Sequence, residues 1–220
     1  MAKAKTPTTK TPPSDSDSTG NKTGLIIGIV GALVVLLLVA VVIFGTSDTS
    51  GIANETGEVT IDGVSLPLMP QSAPQDTTAS GLPAPGVSGT DFDDNVVTIT
   101  NDGRAKGIVF VAHWCPHCQQ EVPRVQEWID GGGSVEGVDL YSVSTSVRST
   151  QDNYPPSDWL EDEAWTVPTI RDDADGSIHL AYGGGGFPYW VFLNSDGTVA
   201  LRTAGQLQLD QLVLILETLN

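Results

Sequence analysis

The chain has 220 residues and a formal net charge of −17, room for one domain of ordinary size plus attachments. Four of its ten basic residues (Lys3, Lys5, Lys10, Lys22) precede residue 25, so the remainder holds 6 bases against 25 acids, a net of −19. Such a surface repels nucleic acid and anionic lipid, and two cysteines exclude a disulfide framework.

Residues 1–24 are Lys, Thr, Pro, Ser and Asp without apolar periodicity and are expected to be a disordered tail. "LIIGIVGALVVLLLVAVVIF", Leu25 to Phe44, carries no charge and is long enough to cross a bilayer as a helix. A secretory signal has a shorter apolar core, about 7–15 residues, and "GTSDTSGIA" offers only a weak cleavage site, so an uncleaved anchor is the favoured reading. Lysines before it and acids after it place the N-terminus in the cytoplasm and everything after Gly45 outside the cell membrane. Residues 45–90, rich in Thr, Ser, Gly and Pro, read as an extracytoplasmic linker with a short strand or two in "GEVTIDGVSLPLM".

Residues 91–220 are the expected folded domain. "VVTIT" (Val96–Thr100) reads as a strand before an "NDG" turn. "GIVFVA" (Gly107–Ala112) is a continuous apolar run, the mark of a strand buried on both faces. Val122, Val125, Trp128 and Ile129 recur at helical spacing until "GGG" at 131–133. "VDLYSVS" reads as a strand, and "SDWLEDEAW" as a short helix with Ser157 at its cap. "VPTIRDD" is a short strand, "YWVFLNSDGTVALR" a hairpin, and Leu209, Leu212, Val213, Leu216 and Leu219 a closing amphipathic helix. This order of strands and helices predicts a three-layer α/β sandwich with a mixed sheet.

Both cysteines and two of the three histidines fall in "HWCPHC", His113–Cys118, where the buried strand gives way to a helix. A disulfide between residues so close closes a tiny loop and adds little stability, which disfavours a purely structural bridge. A helix N-terminus stabilises a thiolate through unpaired N–H groups and the helix dipole. Cys115 is therefore expected at or before the first turn with its sulfur exposed, Pro116 at the first helical position, and Cys118 one turn further in and shielded. In that arrangement Cys115 attacks or is attacked, Cys118 resolves the mixed disulfide, and His117 adds charge or a hydrogen bond to the Cys115 thiolate. The rival is a zinc or copper site from His113, Cys115, His117 and Cys118. It lacks a second ligand cluster, and His113, ending a strand, is expected to point away from Cys115. "GGGG" at 183–186 lacks the Lys-Ser/Thr of a phosphate loop, "DDADG" misses the spacing of a calcium loop, and "NET" at 54–56 is a glycosylation sequon in form only.

"FVAHWCPHC" resembles the Trp-Cys-x-x-Cys site of the thioredoxin superfamily, and its Cys-Pro-His-Cys is similar to that of DsbA-type oxidases. "CPHCQQEVP" and the long stretch "WTVPTIRDDADGSIHLAYGGGGFPYWVFLNSDGTV" resemble membrane-tethered TlpA/ResA-type thiol-disulfide oxidoreductases, a likeness covering residues 82–220. The resemblance implies a thioredoxin fold without cofactor, acting on protein thiols or disulfides and recycled by a membrane redox partner. It matches Pro188 to a cis-proline facing the cysteines, against the alternative of an ordinary turn proline, whereas Pro168 in "TVPT" lies too early for that role. It matches Glu121 to a glutamate handling the Cys118 proton, against the alternative of a solvated first-turn acid. One departure is Val109, where thioredoxins and DsbA-type proteins often hold a buried acid. The expectation is a membrane-anchored extracytoplasmic thiol-disulfide oxidoreductase. The Pro-His dipeptide favours a dithiol oxidase. The TlpA-like body leaves open a reductase, for example in cytochrome c maturation, and a metal-binding module without redox turnover is the remaining alternative.

Overall fold

The computed structural model describes residues 55–70 and 74–220. The expected tail and membrane anchor, residues 1–24 and 25–44, lie outside the described residues. Among the described residues no helix is long and apolar enough to cross a membrane. The elements in chain order are β1 (Thr60–Asp62), β2 (Gln75–Asp76), β3 (Gly86–Thr90), β4 (Val96–Ile99), β5 (Ala105–Val111), α1 (Cys118–Asp130), β6 (Val138–Ser144), α2 (Pro156–Asp162), β7 (Thr169–Arg171), α3 (Ser177–Ala181), β8 (Tyr189–Leu193), β9 (Val199–Ala204) and α4 (Leu209–Glu217).

A six-stranded mixed sheet in the order β2-β9-β8-β5-β6-β7 forms the middle layer. β5 lies at its heart, parallel to β6 and antiparallel to β8, and every residue of β5 is buried, as its unbroken apolar run predicts. Strand alternation divides the core. Ile108, Phe110, Tyr189 and Val191 face one cluster, and Val109, Val111, Trp190 and Phe192 face the other. The second cluster is closed by Val122 and Val125 of α1, Trp159 and Leu160 of α2, and Leu212 and Leu216 of α4. The hairpin β8–β9 and the helix α4 stand where periodicity puts them.

The other face departs from expectation. β4, read as part of the main sheet, pairs instead with β3 in a separate antiparallel sheet of order β1-β3-β4. That sheet's Val87 and Ile99 join Leu66, Met69 and Ala79 in the first core cluster together with Ile178 of α3. The expected linker of residues 45–90 is therefore corrected: its described residues belong to the same compact unit as residues 91–220. The Gly-, Pro- and Ser-rich composition hides a segment that buries Leu66, Met69, Ala79 and Val87, while Val64 and Leu68 stay exposed. Its polar residues are used too. Glu55 accepts hydrogen bonds from the N–H and hydroxyl of Ser157 (2.9 and 2.8 Å), so Glu55 rather than Ser157 satisfies the start of α2, whose cap position is Pro155. Asp76 on β2 forms a buried ion pair with Arg202 on β9. Arg202 also donates to the Pro67 carbonyl (2.7 Å), and Gly183 leaves room for that guanidinium, since a Cβ there would overlap it. α3 has no apolar period visible in "SIHLA". It forms because the carboxylate of Asp172 accepts the N–H groups of Ile178 and His179 (2.9 and 3.1 Å).

Candidate active site

The chain leaves the buried strand β5 at Val111 and turns tightly, with the Cys115 N–H bonded to the Ala112 carbonyl (2.9 Å). The Gln119 N–H then returns to the Cys115 carbonyl (3.1 Å), the first helical bond. α1 begins at Cys118, with His117 as the preceding cap residue, so Pro116 sits ahead of the helix rather than at its first position. Pro116 and His117 are exposed. Cys118 is fully buried. Cys115, expected with its sulfur exposed, is itself only 6% exposed. Trp114 beside it packs edge-on against Phe187 (5.9 Å between centroids), and the Cys115 Sγ touches the Phe187 carbonyl (3.6 Å). The residue that carries the reacting sulfur is therefore nearly buried.

Phe187 precedes Pro188, and the bond between them is cis. Tyr154–Pro155 is also cis, which no feature of the sequence reading had singled out. The Gly183–Gly186 run leading to Pro188 is held from α3: His179 donates from Nε2–H to the Gly185 carbonyl (2.8 Å) and packs its ring against Phe187 (4.8 Å between centroids). The structure thus brings Cys115, Cys118, Pro116, His117 and Pro188 to one place.

The two thiols differ in environment. The Cys118 S–H donates to the Cys115 sulfur, and the N–H groups of Cys118 and His117 and the charge of His117 act in the same direction. Together they outweigh burial and bring the Cys115 pKa down to about 6. The Phe187 carbonyl opposes this, since it can accept from a thiol but only repels a thiolate. The donors on the helix side win by number. Cys118 is pushed well above the ordinary thiol range by burial, by its role as donor to Cys115 and by the nearby Glu121. Both cysteines are free, so this is the dithiol state.

Glu121 is not a solvated acid. It is 1% exposed, in the stripe Cys118, Glu121, Val122, Val125, Gln126 that α1 turns inward. Its carboxylate accepts from the Trp190 indole (2.9 Å) and the Leu207 N–H (3.4 Å), and pairs with Arg124 (2.5 Å). Burial nevertheless raises its pKa above the ordinary carboxylate value.

His113 points away from the cysteines. Its Nε2 accepts the Arg148 N–H (3.1 Å), which leaves the proton on Nδ1 to donate to the Asp152 carbonyl (2.8 Å). Burial keeps this ring neutral by lowering its pKa. Its nitrogens are therefore committed to the loop after β6 and not to a metal shared with the cysteines. Among the described residues no three His, Cys, Asp or Glu side chains converge as a metal site. Sequence reasoning missed the loop that His113 holds. Trp114 donates from its indole to the Ser146 carbonyl (2.8 Å), and the Arg148 guanidinium lies over the Trp114 ring, 4.0 Å from its centroid. No motif announces Arg148. A groove of about 470 Å³ lined by Trp128, Val135, Tyr141 and Pro168 contains neither cysteine.

No family model matches the chain. The sporulation thiol-disulfide oxidoreductase A of Bacillus subtilis is 28% identical over 116 residues, 53% of this chain and 68% of that protein. A DsbF homologue from Corynebacterium diphtheriae superposes with a TM-score of 0.58 at 17% identity, covering 71% of this chain and 100% of that one. A secreted Mycobacterium tuberculosis disulfide oxidoreductase homologous to Escherichia coli DsbE gives 0.50 at 20% identity, covering 60% and 95%. The fold is that of thioredoxin-like thiol-disulfide oxidoreductases. The Bacillus relative is named a thiol-disulfide oxidoreductase, and the chain is an enzyme of that class.

Proposed function

We propose that the protein is a membrane-anchored, extracytoplasmic dithiol oxidase that exchanges its Cys115–Cys118 disulfide with thiols of other proteins. The observation that carries this reading is the asymmetry of the pair: Cys115, slightly exposed, has a pKa of about 6, whereas Cys118 is fully buried and held protonated. A substrate thiolate attacks the Cys115 sulfur of the disulfide, and Cys118 departs as a thiolate that takes up a proton. A second substrate thiolate then attacks the substrate sulfur of the mixed disulfide, and Cys115 leaves. The substrate loses two electrons and gains a disulfide, and the enzyme gains two electrons and becomes the dithiol. Cys115 is the better leaving group because its thiolate is stabilised.

The other site residues take roles that fit their positions. Glu121 lies one turn below Cys118 and exchanges a proton with it. His117 adds positive charge at Cys115. Pro188 in its cis form presents the Phe187 backbone beside the reacting sulfur, where the substrate chain passes. The apolar segment Leu25–Phe44 is the anchor, and a membrane redox partner reoxidises the dithiol. Disulfides persist in that compartment.

A specific observation also supports the reverse direction, reduction of disulfides. A buried Glu121 beside Cys118 equally serves deprotonation of Cys118 when a mixed disulfide is resolved by the enzyme. The reduction potential decides between them. Equilibrated against glutathione buffers, the full chain in detergent is expected to show a potential between about −120 and −200 mV, the oxidising side of the thioredoxin-fold range. A value at or below about −250 mV reverses the assignment to a reductase.

A further inference from the structure

We infer that Arg148 selects substrates that carry a carboxylate close to the reacting sulfur. The inference rests on the exchange reaction proposed above and names a feature of its substrates.

Six bases lie in the described residues. Five are committed to carboxylates: Arg104 to Asp139, Lys106 to Asp102, Arg124 to Glu121, Arg171 to Asp94 and Arg202 to Asp76. Arg148 is the sixth, exposed, and among the described residues it has no carboxylate within ion-pair distance. In a chain so rich in acids this isolation is a property of its place.

That place is built. The loop after β6 is tied to the cysteine turn at three points: the Trp114 indole to the Ser146 carbonyl, the Arg148 N–H to His113 Nε2, and His113 Nδ1 to the Asp152 carbonyl. The guanidinium then lies over the Trp114 ring, its carbon 4.0 Å from the centroid, and Arg148 is exposed. Trp114 adjoins Cys115 in sequence, and its ring meets Phe187, whose carbonyl touches the Cys115 sulfur. The guanidinium is thus joined to the sulfur through Trp114 and Phe187. Its donor geometry matches a carboxylate. The 24 acids of the described residues set a field that opposes acidic substrates at long range. At physiological salt that field is screened beyond about 8 Å, so the local cation governs what binds beside Cys115.

A carboxylate near a thiol can belong to an acidic side chain of a protein or to a small thiol such as glutathione. The test uses the full chain in detergent, oxidised, at pH 7 and 0.15 M salt. Rates of reduction are measured with single-cysteine peptides flanked by Glu or by Lys, and with glutathione relative to 2-mercaptoethanol. Charge also alters a peptide's own thiol pKa, so the readout is the change in the Glu:Lys rate ratio between wild type and variants. An exposed charge pair contributes up to about fivefold. Arg148→Gln is expected to lower the ratio about three- to fivefold, and Arg148→Glu to lower it further. A general loss of folding slows both peptides together and leaves the ratio unchanged. A fall of twofold or more in the peptide ratio supports protein carboxylates. A comparable fall confined to the glutathione ratio assigns the carboxylate to a small thiol. A change below twofold in both ratios overturns the inference while leaving the oxidoreductase reading intact. If the wild-type chain exchanges with no thiol at all, that reading fails, and this one with it.

Discussion

At the scale of single residues the site is governed by which groups point at which sulfur. Cys115 has an ordinary value of 9.0 and a native value of about 6, so the dithiol form of the folded protein is stabilised by its thiolate. The sign follows from the depressed pKa. The stabilisation is complete above pH 9, shrinks as pH falls, and is gone below about pH 6. Two measurements read this directly. Alkylation of Cys115 by iodoacetamide is expected to rise with a midpoint near pH 6 and to plateau above it, with Cys118 unmodified in the native dithiol. The reduction potential is expected to change by about 59 mV per pH unit below the midpoint and about 30 mV per unit above it, because the dithiol then binds one proton per two electrons instead of two. A single slope across pH 5–8 removes the asymmetry and the mechanism with it. Glu121 offers a separate handle. Glu121→Gln keeps an acceptor for the Trp190 indole but removes the exchangeable proton. It is expected to leave the Cys115 midpoint near pH 6 and to slow the step at Cys118 about a hundredfold, the low end of general acid–base effects. An unchanged exchange rate across pH excludes proton transfer by this residue.

At the scale of elements, what was legible depended on whether apolar pattern or polar contact made the element. β5, β8, β9, α1 and α4 announce themselves through hydrophobic runs and spacing, and the cysteine turn lies where β5 meets α1. Glu121 was visible as a residue at a matching motif position, but its burial was not, because it depends on Trp190 and Leu207 arriving from distant parts of the chain. β2 and the loop carrying Arg148 are held by polar groups far apart in sequence, and α3 by the nearby Asp172 carboxylate rather than by an apolar period. β2 is the clearest case. It has two residues, and its place at the sheet edge is fixed by Asp76 pairing with Arg202, side chains 3% and 0% exposed. Breaking a buried pair from one side leaves the other charge uncompensated, at about 3–5 kcal/mol. Asp76→Asn is thus expected to lower the thermal midpoint by roughly 10 °C in a domain of this size, measured by circular dichroism. Replacing both residues by apolar ones of similar volume is expected to recover much of the loss. A midpoint within about 2 °C of wild type for Asp76→Asn would mean that the pair is not desolvated.

At the scale of the whole molecule the main misreading concerns where the domain starts. Composition marks residues 45–90 as a tether, since Gly, Pro, Ser and Thr dominate and apolar residues are sparse. Composition does not register which of those few are buried. Leu66, Met69, Ala79 and Val87 are buried against Phe110, Ile170, Ile178 and Tyr182. The Tyr182 hydroxyl donates to the Pro85 carbonyl (2.8 Å), and the Ile170 side chain crowds against Gly89 so closely that a Cβ there would collide with it. Removing residues 1–90 takes Leu66, Met69, Ala79 and Val87 out of the first core cluster and leaves β4 without its partner β3. Burial of each large apolar side chain contributes about 1.5–3 kcal/mol, so losing Leu66, Met69 and Val87 alone approaches the 5–15 kcal/mol stability of a typical domain. It also strips Asp76 from Arg202 and Glu55 from the start of α2. A fragment spanning 91–220 is therefore expected to lack a cooperative thermal transition and to aggregate, whereas 49–220 unfolds in one step near the midpoint of the full chain. A cooperative transition for 91–220 within a few degrees of the longer fragment would show that the first sheet is an ornament on an independent fold. The expected outcome makes it part of the scaffold that holds α3, and through His179 the loop beside Cys115, in place.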